Sequence, residues 1–227
     1  MLYNAPLIPA VFESRPNRFL GKVWIDGSVS KVFIPDPGRL RELLKPGSKV
    51  YLLKKDGLGR KTRFDLVQVD LGHVRVSTDS RLSNRVFEEA LASDLLPEFK
   101  GSKIMKREPV FEGSRLDFEL GDHGLIYVEV KSCTLVEDGV GLFPDAPTLR
   151  GSRQLESLVK ALEFGRSVLF FLVQREDAGS LKPHTDMDPN FSRALREASD
   201  RGVEVYAYNA RVSSKGVSIG GRIPVIM

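Results

Sequence analysis

A single cysteine, Cys133, among 227 residues rules out both an intrachain disulfide and an all-cysteine zinc site. The three histidines, His73, His123 and His184, are scattered without HExxH or Cys/His ligand spacing, which argues against a structural zinc. No run of roughly 18 apolar residues occurs, and the N-terminal stretch MLYNAPLIPAVFESRPNR places no basic segment ahead of an apolar one. The sequence therefore predicts no membrane partner, and the cytoplasm is the expected location. GxxxxGK followed by Ser or Thr is missing, as is GxGxxG. Gly139-Val140-Gly141 does not lead from a strand into a helix, so NTPase and dehydrogenase readings lose their support.

What is present is an ordinary globular composition. Hydrophobic residues at 41%, charged residues at 28% and a mean hydropathy of -0.17 exclude disorder and collagen-like repeats. At roughly 150 residues per domain, the length fits one large domain or two modest ones. Charge is unevenly placed. The first 75 residues carry 14 Lys/Arg against 7 Asp/Glu, whereas the remainder carries 20 against 23. A basic first part and a carboxylate-richer second part fit a nucleic-acid-binding module followed by a unit that uses acids, for instance to hold a metal. A solvated basic surface without a partner gives the same imbalance. Within the basic part, Arg18, Lys22, Arg39 and Arg41 are the candidate phosphate contacts.

The first part reads as short strands at 18–25, 28–35, 48–54, 61–70 and 73–77, separated by turn signals such as Asp26-Gly27 and Pro46-Gly47. Five strands in this span predict an OB-type barrel, with an SH3-like barrel as the alternative. RLRELL at 39–44 predicts a short helix after the stiff Pro35-Asp36-Pro37-Gly38 turn. Beyond residue 78 the periodicity changes to that of a helix in SNRVFEEALASDLL, where Val86, Ala90 and Leu91 share a face that Leu95 extends. The predicted division is therefore 1–78 and 79–227. Strands at 102–111, 115–120 and 125–132 follow, then a loop rich in Gly and Pro, then a helix at 151–164. The apolar run SVLFFLVQ at 167–174 predicts a strand buried on both faces at the centre of the sheet. A helix at 190–201 and strands at 204–208 and 211–219 complete an α/β (α+β) two-domain chain whose second part is a mixed sheet flanked by helices.

On the strand Tyr127-Val128-Glu129-Val130-Lys131, alternation puts Glu129 and Lys131 on one face about 6 to 7 Å apart, with Ile126, Val128 and Val130 on the other. A carboxylate and an ammonium at the end of an interior strand are costly to bury without a partner or a metal, so that end is expected to open into a cleft. An ordinary ion pair at a sheet margin is the alternative. Asp117 lies on the preceding strand. If the two strands pair, its carboxylate converges with that of Glu129 into an open site for a hard divalent cation such as Mg²⁺ or Mn²⁺, with Lys131 beside it. Glu88 and Glu89 sit on the preceding helix, within possible reach of the cleft. The segment FPDAPTLRG at 143–151 is a stiff loop running into a helix, where Arg150 and Arg153 form either an anion site or a structural connection. Cys133 has no neighbouring histidine in sequence and reads as packing.

An acid on one strand, Glu-x-Lys on the next and an αβββαβ order resemble the PD-(D/E)xK nuclease superfamily. The segments RVFEEAL, SRLDFEL, YVEVKSCTL, GLFPDAPTLRG, VQRED and MDP, together with NRFLGKVWIDG and PGRLRELLKPG, resemble the sugar fermentation stimulation protein (SfsA) family over most of the chain. That resemblance implies an N-terminal OB-fold joined to a PD-(D/E)xK nuclease-like domain, DNA binding, and a role in regulating sugar catabolism. By position it implies Glu89, Asp117, Glu129 and Lys131 as the nuclease-like cluster, flanked by the loop carrying Asp145, Thr148 and Gln154. The chain has Asp36-Pro37 where the family commonly shows Asn-Thr, and Gln154-Leu155 where it commonly shows His-Leu. Three activities stay open at this point: a metal-dependent DNA phosphodiesterase, a non-catalytic DNA-binding transcriptional regulator, and an enzyme acting on a sugar phosphate. Single- and double-stranded DNA both fit, and no residue pattern specifies an oligomeric state.

Overall fold

The computed structural model describes residues 1–57, 59–111, 114–121 and 124–227, which leaves His123 outside the described residues. The first part is built from β1 (Ile8–Asn17), β2 (Leu20–Ile25), β3 (Ser28–Phe33), β4 (Lys49–Lys54), β5 (Phe64–Asp70) and β6 (Arg75–Ser77). They run in the order β3-β2-β1-β4-β5-β6, and pairing of Phe33 in β3 with Asp65 in β5 closes the first five into a barrel of the OB type. The sequence reading reaches five barrel strands by a different set. It misses β1, whose Pro9 and Pro16 read as loop, and counts β6, which only extends the sheet beyond β5. β1 is nonetheless an interior strand, because Ala10 and Phe12 alternate into the barrel core with Val23, Val32, Val50 and Leu52.

No helix forms at 39–44. Leu40 takes a positive φ of 50°, which interrupts a helix, and a single turn remains in which the N–H groups of Leu43 and Leu44 both donate to the Leu40 carbonyl. The sequence pattern there serves a plug: Leu40, Leu43 and Leu44 are all buried in the barrel core.

The second part comprises α1 (Leu82–Ala92), a short 3-10 turn (Pro97–Phe99), β7 (Lys103–Arg107), β8 (Val110–Phe111), β9 (Ser114–Arg115), β10 (Phe118–Gly121), β11 (Ile126–Cys133), β12 (Val136–Glu137), β13 (Val140–Phe143), α2 (Leu149–Ala161), β14 (Arg166–Val173), β15 (Ser180–Pro183), α3 (Pro189–Asp200), β16 (Glu204–Ser213) and β17 (Gly216–Ile223). Its main sheet runs β17-β16-β14-β11-β10-β7. The strands β11, β14 and β16 are parallel, and the outer strands are antiparallel. As expected from SVLFFLVQ, β14 is interior and almost wholly buried. The helix α1 packs on one face through Val86, Phe87, Ala90 and Leu91, while α2 and α3 cover the other through Leu155, Leu158, Phe191 and Leu195. This is the mixed sheet flanked by helices that the sequence pattern predicts.

Several local readings change. The strand expected at 102–111 is split into β7 and β8, and the strands expected at 204–208 and 211–219 are instead β16, unbroken to Ser213, and β17, which starts at Gly216. Leu95 does not extend the α1 face: the helix ends at Ala92, Asp94 turns through a positive φ of 52°, and Leu95 is left 56% exposed. The strand at 115–120 is broken at Leu116 and Asp117 into β9 and β10, which matters for the site below. The Gly/Pro-rich loop contributes two strands, β12 and β13, to a small sheet completed by β15. The N-terminal segment lies against the second part, with Tyr3 donating to the Lys215 carbonyl and Val217 to that of Met1.

Candidate active site

The site grows from the alternation in β11. Ile126, Val128 and Val130 face α1, while Tyr127, Glu129 and Lys131 face the α2 side, where Tyr127 joins the core and the two charged residues lie beyond it. Glu129 is buried at 3% exposure. Its Oε1 accepts from Lys131 Nζ at 2.7 Å, and its Oε2 is buried without a hydrogen-bond partner. Burial pushes its carboxyl up to about 7, aided by the nearby charge of Asp117 and opposed by Lys131 and Arg150. The Lys131 ammonium also donates to Gln154 Oε1 at 2.6 Å, and the Gln154 amide in turn donates to the Arg115 carbonyl at 3.3 Å. Two acceptors on opposite elements thus fix the ammonium between β11 and α2.

Asp117 reaches the cluster because the strand breaks there. Its own N–H stays on the ladder, donating to the Val128 carbonyl, and its carboxylate takes over the next rung by accepting from the Val130 N–H at 2.7 Å. The other oxygen accepts from Asn84 Nδ2 at 2.7 Å, so α1 supplies the residue that orients Asp117. Asp117 and Glu129 therefore converge as the sequence reading expects if their strands pair. The acids of α1 do not join them. Glu88 pairs with Arg107 at 2.8 Å, and the Glu89 carboxylate binds the amino group of Met1. Glu89 instead lines a separate cavity of 760 Å³ between the two parts, with Arg60, Arg81 and Arg85. Among the described residues no three His, Cys, Asp or Glu side chains gather around one point. Two carboxylates, one with an orphaned oxygen, are an all-oxygen donor set suited to a hard divalent cation whose remaining ligands are water, phosphate or backbone carbonyl.

Beside the cluster, Ser114, Arg115, Arg150, Arg153 and Gln154 line an open cavity of 500 Å³. Arg150 and Arg153 are exposed on the first turns of α2, whose N-cap Thr148 accepts from the Gly151 N–H at 3.0 Å and is itself tethered by its N–H to Asp188 at 2.8 Å. Asp145 turns the other way, towards the barrel, where it accepts from the Arg39 N–H. The barrel residues Arg18, Arg39 and Arg41 are exposed, and Arg15 draws two of them together by donating to the Arg39 carbonyl at 2.5 Å and the Arg18 carbonyl at 2.6 Å. Lys22 stands on the outward face of β2, away from this junction's hydrogen bonds. Sequence reasoning missed Asn84, Arg15 and Arg115. Only Arg115 carried a local signal, two positions before Asp117. Asn84 acts on a residue 33 positions away, and Arg15 joins its near neighbour Arg18 to Arg39, 24 positions away. Cys133 is buried, as the packing reading expects.

An OB-type barrel joined to a helix-flanked mixed sheet, with two acids and a lysine converging on one strand end, defines the architectural class. The comparisons narrow it. Residues 14–78 match the family model described as the SfsA N-terminal OB domain, and residues 81–216 match the one described as the Sugar fermentation stimulation protein RE domain. The chain belongs to the sugar fermentation stimulation protein family. It is 48% identical to a sugar fermentation stimulation protein homolog of Moorella thermoacetica, covering 95% of this chain and 94% of the relative. It is 45% identical to a homolog of Caldivirga maquilingensis over 99% of this chain and 97% of the relative. Among solved structures, Pyrococcus furiosus SfsA in complex with Ca²⁺ superposes with a TM-score of 0.93 at 33% identity, covering 100% of this chain and 98% of that one.

Proposed function

We propose that this chain binds DNA and hydrolyses phosphodiester bonds at the Asp117, Glu129 and Lys131 cluster, with Mg²⁺ or Mn²⁺ held by the two carboxylates. The observation that carries this reading is the Glu129 Oε2 atom, buried and without a partner beside a cavity with three arginines on its wall. An unpaired buried carboxylate oxygen is costly, and a divalent cation offsets that cost directly. The Pyrococcus furiosus relative, whose fold superposes over the full chain, was solved with Ca²⁺, a cation of the same oxygen-seeking class.

When bound, the cation supplies Lewis-acid stabilisation of the phosphate and makes a coordinated water more acidic. Asn84 and the Val130 N–H hold the Asp117 carboxylate in position. Lys131, fixed by Glu129 and Gln154, presents its charge where negative charge develops on the phosphate. Arg115, Arg150 and Arg153 neutralise the flanking phosphates, and the excess positive charge of residues 1–75 supplies further sequence-independent affinity. Glu89 has no part in this arrangement.

One observation favours a second reading, a DNA-binding regulator of sugar catabolism that uses the same surfaces without cleavage. The Lys131 ammonium already has two side-chain acceptors within 2.7 Å, an arrangement that a purely structural cation also adopts. Rigorously purified protein incubated with single- and double-stranded DNA and Mg²⁺ or Mn²⁺, with Lys131→Ala purified in parallel, separates the two. Metal-dependent cleavage by the wild type alone supports hydrolysis. Equal activity in both preparations, or none in either, removes it.

A further inference from the structure

The barrel displays a row of side chains that its own core does not account for. In β1, β2 and β3 the inward positions Phe12, Val23 and Val32 are buried at 1%, 0% and 0% exposure. On the outward face the register sets Val11 opposite Trp24, and Trp24 opposite Val29, and these remain 42%, 46% and 44% exposed. Opposed side chains in adjacent strands have Cβ atoms about 4.5 to 5.5 Å apart, so the three form one continuous apolar strip centred on the indole. One step along the same face, about 6 to 7 Å away, Lys22 stands directly opposite Lys31.

Like charges directly opposite one another weaken a sheet. Among the described residues neither lysine forms an ion pair, and the β1 residue opposite Lys22 is the neutral Ser14. At the β4 end of the strip Lys49 lies opposite Val11, but it also faces Asp70 of β5. The uncompensated charge is therefore that of Lys22 and Lys31. A cation pair next to an exposed indole matches a ligand that offers negative charge and flat apolar faces at a short, regular spacing. An unpaired polynucleotide strand offers both, its phosphates to the lysines and its bases to the ring. In a duplex the base faces are hidden within the stack.

We infer that the outward face of β1, β2 and β3 is a platform for single-stranded nucleic acid, with a base stacked on Trp24 and its phosphates held by Lys22 and Lys31. The inference rests on the DNA-binding reading above and deepens it by naming the strandedness and the contact residue. Trp24 is the chain's one tryptophan, so its emission reports on this face directly.

The full-length protein is titrated at low salt with oligo-dT of about a dozen nucleotides and with a dT·dA duplex of equal length, following both tryptophan emission and anisotropy of a labelled strand. Oligo-dT is expected to quench the emission in step with binding, and the duplex to leave it largely unchanged. Trp24→Ala should weaken oligo-dT binding about 10- to 100-fold, with Trp24→Phe retaining most of the affinity. Lys31→Ala should reduce the salt slope by about 1. Trp24 and Lys31 are exposed, so an unchanged melting temperature verifies the fold of each variant. Oligo-dT binding with constant emission and full affinity in Trp24→Ala overturns this inference while leaving the DNA-binding reading intact. No binding to any nucleic acid overturns the DNA-binding reading itself. Quenching by anionic phospholipid vesicles but not by oligo-dT overturns the inference in favour of a lipid surface.

Discussion

The Asp145 carboxylate accepts the backbone N–H of Arg39 at 2.6 Å, with the Leu40 N–H at 3.4 Å, and so joins the loop before α2 to the barrel. The joint depends on Gly38, because a Cβ at that position would collide with the carboxylates of both Asp145 and Asp36. Three residues past Asp145 the chain reaches the α2 N-cap, and five past it reaches Arg150, at the cavity beside Glu129 and Lys131. The barrel thereby sets where the candidate phosphate-binding arginines stand.

Removing that joint should be felt at both ends. Asp145→Ala leaves two backbone donors of the barrel without their charged acceptor, a loss on the order of 1.5 to 3 kcal/mol for a hydrogen bond to a charged group. The expected outcome is a lower melting temperature together with weaker DNA binding, and Asp145→Asn, which retains an acceptor oxygen, should lose less of each. Wild-type stability and affinity in the alanine variant would show that the joint is incidental.

Asp36 supplies a pH dependence of known sign. Burial raises its carboxyl from the ordinary 3.8 to about 7, with the Asp145 charge adding to the shift and the Gly38 N–H and Arg15 opposing it. The folded state therefore binds the proton more tightly than the unfolded chain. The stability this contributes is complete below about pH 4 and is lost as pH rises to about 7. Asp36→Asn keeps the shape and the acceptor for Gly38 while removing the charge. Its melting temperature should exceed that of the wild type at pH 8 and converge with it near pH 4. Parallel curves for the two proteins across that range would contradict the assignment.

Arg150 and Arg153 stand exposed where α2 begins, so Arg150→Ala and Arg153→Ala should fold normally. Each lost charged contact to phosphate is expected to cost on the order of 1.5 to 3 kcal/mol of DNA affinity where it is well formed. Titrations of both variants that superimpose on the wild type would assign these arginines to the structural connection instead.

The parts of this molecule that were legible in its sequence are those carried by local periodicity. Strict alternation in β11 placed Glu129 and Lys131 on one face, and the unbroken apolar run of β14 marked the sheet centre, because burial on one or both faces writes itself directly into the chain. Elements whose shape is dictated from a distance were not legible. β1 is a strand because it is wedged between β2 and β4, despite its prolines, and RLRELL is a plug because the barrel end takes in its leucines. At the site the same division holds. The convergence of Asp117 and Glu129 is legible through their strands, whereas the Asn84 contact to Asp117 is not, because it is set by how α1 docks on the sheet. The Glu89 contact is set from a distance in the same way, since its partner is Met1, 88 residues away in sequence.

The orientation of Asp117 yields the sharpest test of the cluster, because three substitutions affect a bound cation in three different ways. Asp117→Asn preserves shape but removes one of two ligand charges, so Mn²⁺ affinity measured by calorimetry should fall steeply. Asn84→Ala leaves both carboxylates in place and removes only the donor that holds Asp117, and such outer contacts are typically worth about 10- to 100-fold in metal affinity. Lys131→Ala removes a cation 2.7 Å from Glu129 Oε1, so Mn²⁺ binding should stay the same or tighten while any DNA cleavage is lost. The order of Mn²⁺ affinities is thus expected to be Lys131→Ala at or above wild type, then Asn84→Ala, then Asp117→Asn. A general loss of packing would weaken all three alike, and a cation held elsewhere would leave all three unchanged. Either pattern would mean that Asp117 and Glu129 do not hold the metal, however close their strands bring them.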